Sequence, residues 1–200
     1  LEDPQLTVGL PAHITAAAIK ALQEHQTRYT ESAGLLELRE AIAAKFGVEN
    51  GIKYDPSQII VNCGAKHSCY NAILALCPPG DQVRIPAPYW TRYPEMAPPA
   101  GAIPVPVKTT TESGWKITPE QFEEAVTPMT KMIILNSPNN PTGSVYTKEE
   151  MEKLAEIAVG EDIVILSDEI YEKLVYGENK HVSIASLSDE IYEHTITVNG

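Results

Sequence analysis

Neither GxGxxG nor GxxxxGK[ST] occurs anywhere in the 200-residue chain, so both glycine fingerprints of nucleotide binding are missing. The five histidines, His13, His25, His67, His181 and His194, form no HExxH and no paired spacing; they offer no metal site and take surface or helix-end roles. Cysteine is scarce: Cys63, Cys69 and Cys77 are odd in number and lack CxxC spacing, which excludes a disulfide framework or a zinc ribbon. The last two lie on one apolar helical stretch, where small buried thiols are ordinary, and a reduced, cytoplasmic setting follows. No apolar run approaches the roughly 20 residues of a membrane span, and Leu1 opens no signal-peptide pattern. Basic residues number 15 against 27 acidic, and the net charge of −12 repels phosphate backbones and anionic lipid, excluding nucleic acid and membrane as partners. Internal repeats, low-complexity tracts and interdomain linkers are also absent.

What is present is alternation. Apolar residues recur with helical period over 13–24, 35–46, 65–76 and 148–159. Between them lie short apolar runs at 59–62, 82–85, 103–107, 132–135, 163–166 and 195–198, punctuated by Pro-Pro-Gly (78–80), Pro-Ala-Pro (86–88) and Gly177. This predicts an α/β fold of three αβα layers around a mostly parallel sheet. The 43% apolar content is ample for a core. The run at 195–198 reaches Asn199-Gly200 with no covering helix after it, so the chain is expected to be a fragment.

Two of the strands end in polar motifs: MIIL (132–135) runs into NSPNNPTG (136–143), and IVIL (163–166) into SDEIY (167–171). Carboxyl ends of strands are where open α/β sheets bind ligands, so an Asn and an Asp delivered there suggest a built site. Asp168 would want a cationic partner, a protonated ring nitrogen for example; alternatively it caps a helix. Tyr171 would share its face if the turn is helical. Asn140, before Pro141-Thr142-Gly143, is held in a rigid turn that is structural or presents its amide at the sheet edge. Trp90, just beyond 82–85, either packs in the core or stacks on a planar heterocycle. Gly64-Ala65-Lys66 carries a strand into a helix, an arrangement that binds phosphate and is also an ordinary turn. Together these residues describe a pocket for a phosphorylated aromatic ring with a basic nitrogen, which pyridoxal 5'-phosphate fits.

From about residue 25 onward the sequence resembles the class I aminotransferases of the aspartate/prephenate type, fold-type I pyridoxal phosphate enzymes. The resemblance rests on TRYTESAGLLELREAIAAKF (27–46), VNCGAKHSCYNAILALCPPGDQVRIPAPYWTRYPEM (61–96), NSPNNPTGSVY (136–146), LSDEIYEKLVYG (166–177) and TITVNG (195–200). It implies that Gly64, Ala65 and Lys66 hold the cofactor phosphate, that Trp90 stacks on the ring, and that Asn140 and Tyr171 bond the ring oxygen. Asn140 and Trp90 would also meet substrate, and Asp168 would pair with the ring nitrogen, supporting its role as electron sink. Tyr29 would reach the phosphate of a neighbouring subunit, implying a homodimer. Lys66 suggests dicarboxylic substrates or prephenate, with an amino acid and a 2-oxo acid as the exchanging pair.

The resemblance also sets domain expectations: an N-terminal segment, 1–25, in which the family's GEPDF-like loop is not recognisable, and a truncated cofactor-binding large domain, 26–200, without the small domain. The Schiff-base lysine is expected just beyond Gly200, so no catalytic residue is assigned, and the 200-residue chain by itself is expected not to transaminate. Alternatives are a lyase or synthase with the same cofactor, or a non-catalytic truncated homologue.

Overall fold

The computed structural model describes residues 9–200; the first eight, part of the atypical segment expected over 1–25, lie outside the described residues. The main elements in chain order are α1 (Ala12–Gln23), α2 (Leu36–Lys45) running into a π-helical turn (Phe46–Asn50), α3 (Ala65–Leu76), β1 (Gln82–Ala87), α4 (Tyr93–Met96) and β2 (Ile103–Lys108). They continue as α5 (Pro119–Ala125), β3 (Thr130–Asn136), α6 (Lys148–Gly160), β4 (Val164–Asp168), α7 (Asp189–Glu193) and β5 (Thr195–Val198). The five strands pair in the order β2-β1-β3-β4-β5, all parallel.

Period-two alternation along the central strands sorts their side chains between two cores. Met132 and Ile134 of β3 and Leu166 of β4 join Cys69, Ile73 and Tyr93 on one face. Ile133, Leu135 and Ile165 join Phe122, Met151, Leu154 and Ile191 on the other. Helices therefore cover both faces, as the βαβ alternation predicts. The helices on the second face begin on local signals: Thr118 and Thr147 each accept an N–H from the residue three places on, and Gln121 and Glu150 reach back to complete capping boxes.

Asn136 and Asp168 occupy the last positions of β3 and β4, stand in register with each other, and share the parity of Ile134 and Leu166. Both side chains therefore emerge on the face covered by α3. The strand order reverses between β1 and β3, so the carboxyl edge there is the crevice where sheets of this kind open a ligand site.

Three expectations are corrected. Residues 59–62 form no sheet strand: the Val61 N–H donates to the Ala33 carbonyl, and Ile60 stands exposed with no ladder beside it. A strand needs a neighbouring backbone, and no described strand runs along this segment. The second helix buries Arg39 rather than an apolar stripe, because its guanidinium donates to the Gly34 and Pro56 carbonyls and pairs with Glu31. His181 is not a surface group; its Nε2 lies 3.0 Å from the Glu169 carboxylate.

Candidate active site

The tips of β3 and β4 are tied together by amide chemistry. Asn136 donates its Nδ2 to the Asp168 carbonyl at 2.9 Å, and its Oδ1 accepts the Asn140 N–H at 2.7 Å. Asn140 is thereby held over the sheet edge, and its own amide donates to the Tyr171 hydroxyl at 3.4 Å. Tyr171 lies in the turn that follows β4, three residues beyond Asp168, so the two reach the same cavity.

Asp168 is 3% exposed. Its Oδ2 accepts the Tyr93 hydroxyl at 2.6 Å and lies 3.7 Å from the Cys69 Sγ, while Oδ1 accepts the Ile170 N–H at 3.2 Å. Burial pushes its pKa upward against these donors, and the neighbouring Glu169 charge adds to the rise. Tyr93 and Cys69 are also pushed up, by burial first and then by the Asp168 charge, and so remain neutral donors. Among the described residues no Lys, Arg or His forms an ion pair with this carboxylate. A buried acid with neutral donors and no counter-ion is matched to a cationic group that enters the cavity.

The opposite wall is the start of α3. Gly64 precedes the helix at φ +81 and ψ 163, an extended positive-φ conformation open essentially to glycine alone, and a side-chain carbon built there would meet nothing within 4 Å. The Ala65 and Lys66 amides that follow lie in the first turn, where backbone N–H groups have no intrahelical acceptor and the helix dipole is positive. Trp90 adjoins, its indole edge-to-face with Tyr93 at 5.3 Å, and the Lys66 Nζ lies 5.5 Å from the indole centre.

Gly64, Ala65, Lys66, Trp90, Tyr93, Asn136, Asn140, Asp168, Ile170 and Tyr171 enclose a cavity of about 220 Å³. A helix N-terminus, a flat indole and a buried carboxylate with no ion-pair partner among the described residues thus face one space. This donor set fits a planar heterocycle that carries a phosphate and a protonated nitrogen.

The sequence matches the family model for aminotransferase class I and II over residues 3–200. The chain belongs to that family. It is 50% identical over 190 residues to an aspartate aminotransferase of Geobacillus stearothermophilus, covering 95% of this chain and 48% of that one. It is 46% identical over 191 residues to an aspartate/prephenate aminotransferase of Cereibacter sphaeroides, covering 95% and 48%. The solved aspartate aminotransferase of Thermus thermophilus with maleate superposes with a TM-score of 0.93 at 46% identity, covering 97% of this chain and 50% of that one. The chain thus spans about half the length of the curated relatives it matches.

Of the residues singled out in the sequence, seven line this aminotransferase-family cavity: Gly64, Ala65, Lys66, Trp90, Asn140, Asp168 and Tyr171. Tyr29 does not; its side chain is fully exposed. Sequence reading missed Tyr93 and Cys69, the two side-chain donors to Asp168. The only signal for them was position: Tyr93 follows Trp90 by three residues, and Cys69 lies on the α3 stripe that faces the sheet. A polar knot behind the site was also unforeseen. Glu169 accepts from Ser167, Ser183 and His181, and Glu172 from Lys45 and Asn50, so these carboxylates are already bonded within the chain.

Proposed function

We propose that residues 26–200 form the cofactor-binding domain of a pyridoxal phosphate-dependent aminotransferase that exchanges an amino group between an amino acid and a 2-oxo acid. The observation that carries this reading is the buried, counter-ion-free Asp168 facing a helix N-terminus and an indole across one cavity. When bound, pyridoxal phosphate supplies an electron-accepting ring that stabilises charge left on the substrate Cα as its proton departs.

In this reading the Gly64, Ala65 and Lys66 backbone holds the phosphate, and Trp90 fixes the ring plane and borders the substrate. Asp168 keeps a proton on the ring nitrogen by pairing with it. Asn140 and Tyr171 donate to the ring oxygen, and Asn140, fixed by Asn136, also orients the substrate carboxylate. Lys66 is the only lysine lining the cavity among the described residues, and its charge favours a second carboxylate on the substrate. Aspartate, glutamate or prephenate-type donors follow, and the names of the two curated relatives support this choice. Tyr29, fully exposed, is free to reach a second subunit's phosphate in a homodimer. The three free thiols, two of them buried, suit a reduced cytoplasmic setting. No helix among the described residues is long and apolar enough to cross a membrane.

The test uses protein expressed from the full coding sequence. Pyridoxal phosphate uptake is followed by absorbance, and 2-oxo acid formation from aspartate is assayed with and without 2-oxoglutarate. Acceptor-dependent formation supports amino transfer. Acceptor-independent formation would point to a lyase, and uptake without turnover to a non-catalytic homologue.

A further inference from the structure

Helix α3 does two things at once. Its first turn borders the cavity, and one turn later its apolar stripe, Cys69, Ala72 and Ile73, packs on the sheet face from which Asp168 emerges. Any side chain at position 69 therefore meets the tip of β4. The one present is a thiol with no exposed surface, and its sulfur shares Oδ2 of Asp168 with the Tyr93 hydroxyl. Oδ1 takes a single backbone N–H. Two neutral hydrogens on one oxygen fix the rotation of the carboxyl group and favour its ionised form.

We propose that Cys69 is a positioning residue for Asp168: its S–H, beside the Tyr93 O–H, occupies Oδ2, so that Oδ1 is the oxygen presented to a cation in the cavity. This inference rests on the aminotransferase reading only for the identity of that cation, the protonated ring nitrogen of pyridoxal phosphate. The other titratable group beside the carboxylate is Glu169, whose charge disfavours ionisation of Asp168. Tyr93 and Cys69 are the only side-chain donors opposing that effect and the burial among the described residues. A thiol is a weaker donor than a hydroxyl, so position 69 sets the strength of the grip in a small step. Cys77, which follows the other end of the same helix, is buried and among the described residues hydrogen-bonds to no carboxylate, and it provides the comparison.

The experiment uses the full-length protein labelled with carboxyl-carbon-13 aspartate. The Asp168 titration midpoint is read by NMR without cofactor, and pyridoxal phosphate affinity is read separately. Cys69→Val, which fills the space but donates nothing, is expected to raise the midpoint by about half a unit or more and to weaken the cofactor by about two- to tenfold. Cys69→Ser, which keeps a donor, is expected to hold both readings at or beyond the wild-type strength, and Cys77→Val to leave both unchanged. Cys69→Ala gives the same readings as Cys69→Val if valine is not accommodated. Equal midpoints in wild type and Cys69→Val would overturn the proposal, as would a Cys69→Ser shift as large as that of Cys69→Val, which would reduce the role to packing. Failure of the wild type to take up cofactor, with the midpoint shift intact, would instead overturn the aminotransferase reading alone.

Discussion

Asp168 and Gly64 each hold a state that is costly in isolation. The Asp168 carboxyl has a folded-state pKa above its ordinary value, because burial outweighs its donors. A group of this kind favours folding at pH below the ordinary carboxylate value, and that contribution is lost as the pH rises through the raised value. In Asp168→Asn this loss should vanish, and the cofactor-free protein should become more stable near neutral pH by about 1–3 kcal/mol while pyridoxal phosphate binding weakens. Thermal midpoints measured across pH, with and without cofactor, check both halves. Gly64 sits at φ +81 with open space around it, so Gly64→Ala meets only the backbone penalty, about 1–3 kcal/mol. If its turn cradles a phosphate, the variant should lose more affinity for pyridoxal phosphate than for pyridoxal, which lacks that group; equal losses would remove the phosphate from this wall. Asp168 and Gly64 were legible in the sequence because the end of an apolar strand run and a glycine opening an apolar-periodic helix leave local signatures. Tyr93 and Cys69 left only their positions, since a tyrosine after a turn and a cysteine on an apolar stripe read as core.

At the scale of elements, the π-helical turn Phe46–Asn50 extends α2 and ends at Gly51, itself in the left-handed region. It brings Asn50 to the Glu172 carboxylate at 2.7 Å and to the Ser183 hydroxyl at 2.8 Å, while Lys45 reaches Glu172 and Asn199. Burial alone would raise the Glu172 pKa, but the side chains of Lys45, Asn50 and Asn199 and the Lys45 charge outweigh it and bring it down from 4.5 to about 2. With a lowered folded-state value, Glu172 contributes stability above about pH 4.5 that is lost as the pH falls toward about 2. Glu172→Gln should flatten the acid limb of the stability profile in that window, and an unchanged limb in acid-unfolding curves would contradict the assignment. The sequence showed the helix over 35–46 by its period, but nothing local announced the extra π turn. Its partners stand more than a hundred residues away along the chain.

At the scale of the whole molecule, two cores pack on opposite faces of one parallel sheet, and the candidate site opens where β1, β3 and β4 end. Lys66 lies at the helix end over Trp90, leaving no lysine beside Asn140 or Tyr171 among the described residues to move a proton at the substrate Cα. The 200-residue chain alone is therefore expected to show no amino transfer from aspartate to 2-oxoglutarate, and turnover above the buffer rate would refute this. The sequence by itself determined the αβα layering, because alternating periods of two and 3.6 are written locally. It also determined which polar residues terminate β3 and β4, because each follows directly on an apolar run. Only the tertiary structure decided what surrounds Asp168, that residues 59–62 find no strand partner, and that Lys45, Asn50 and Glu172 form one knot. Those outcomes depend on contacts between distant segments, and a hydrogen bond across a hundred residues has no periodicity to read.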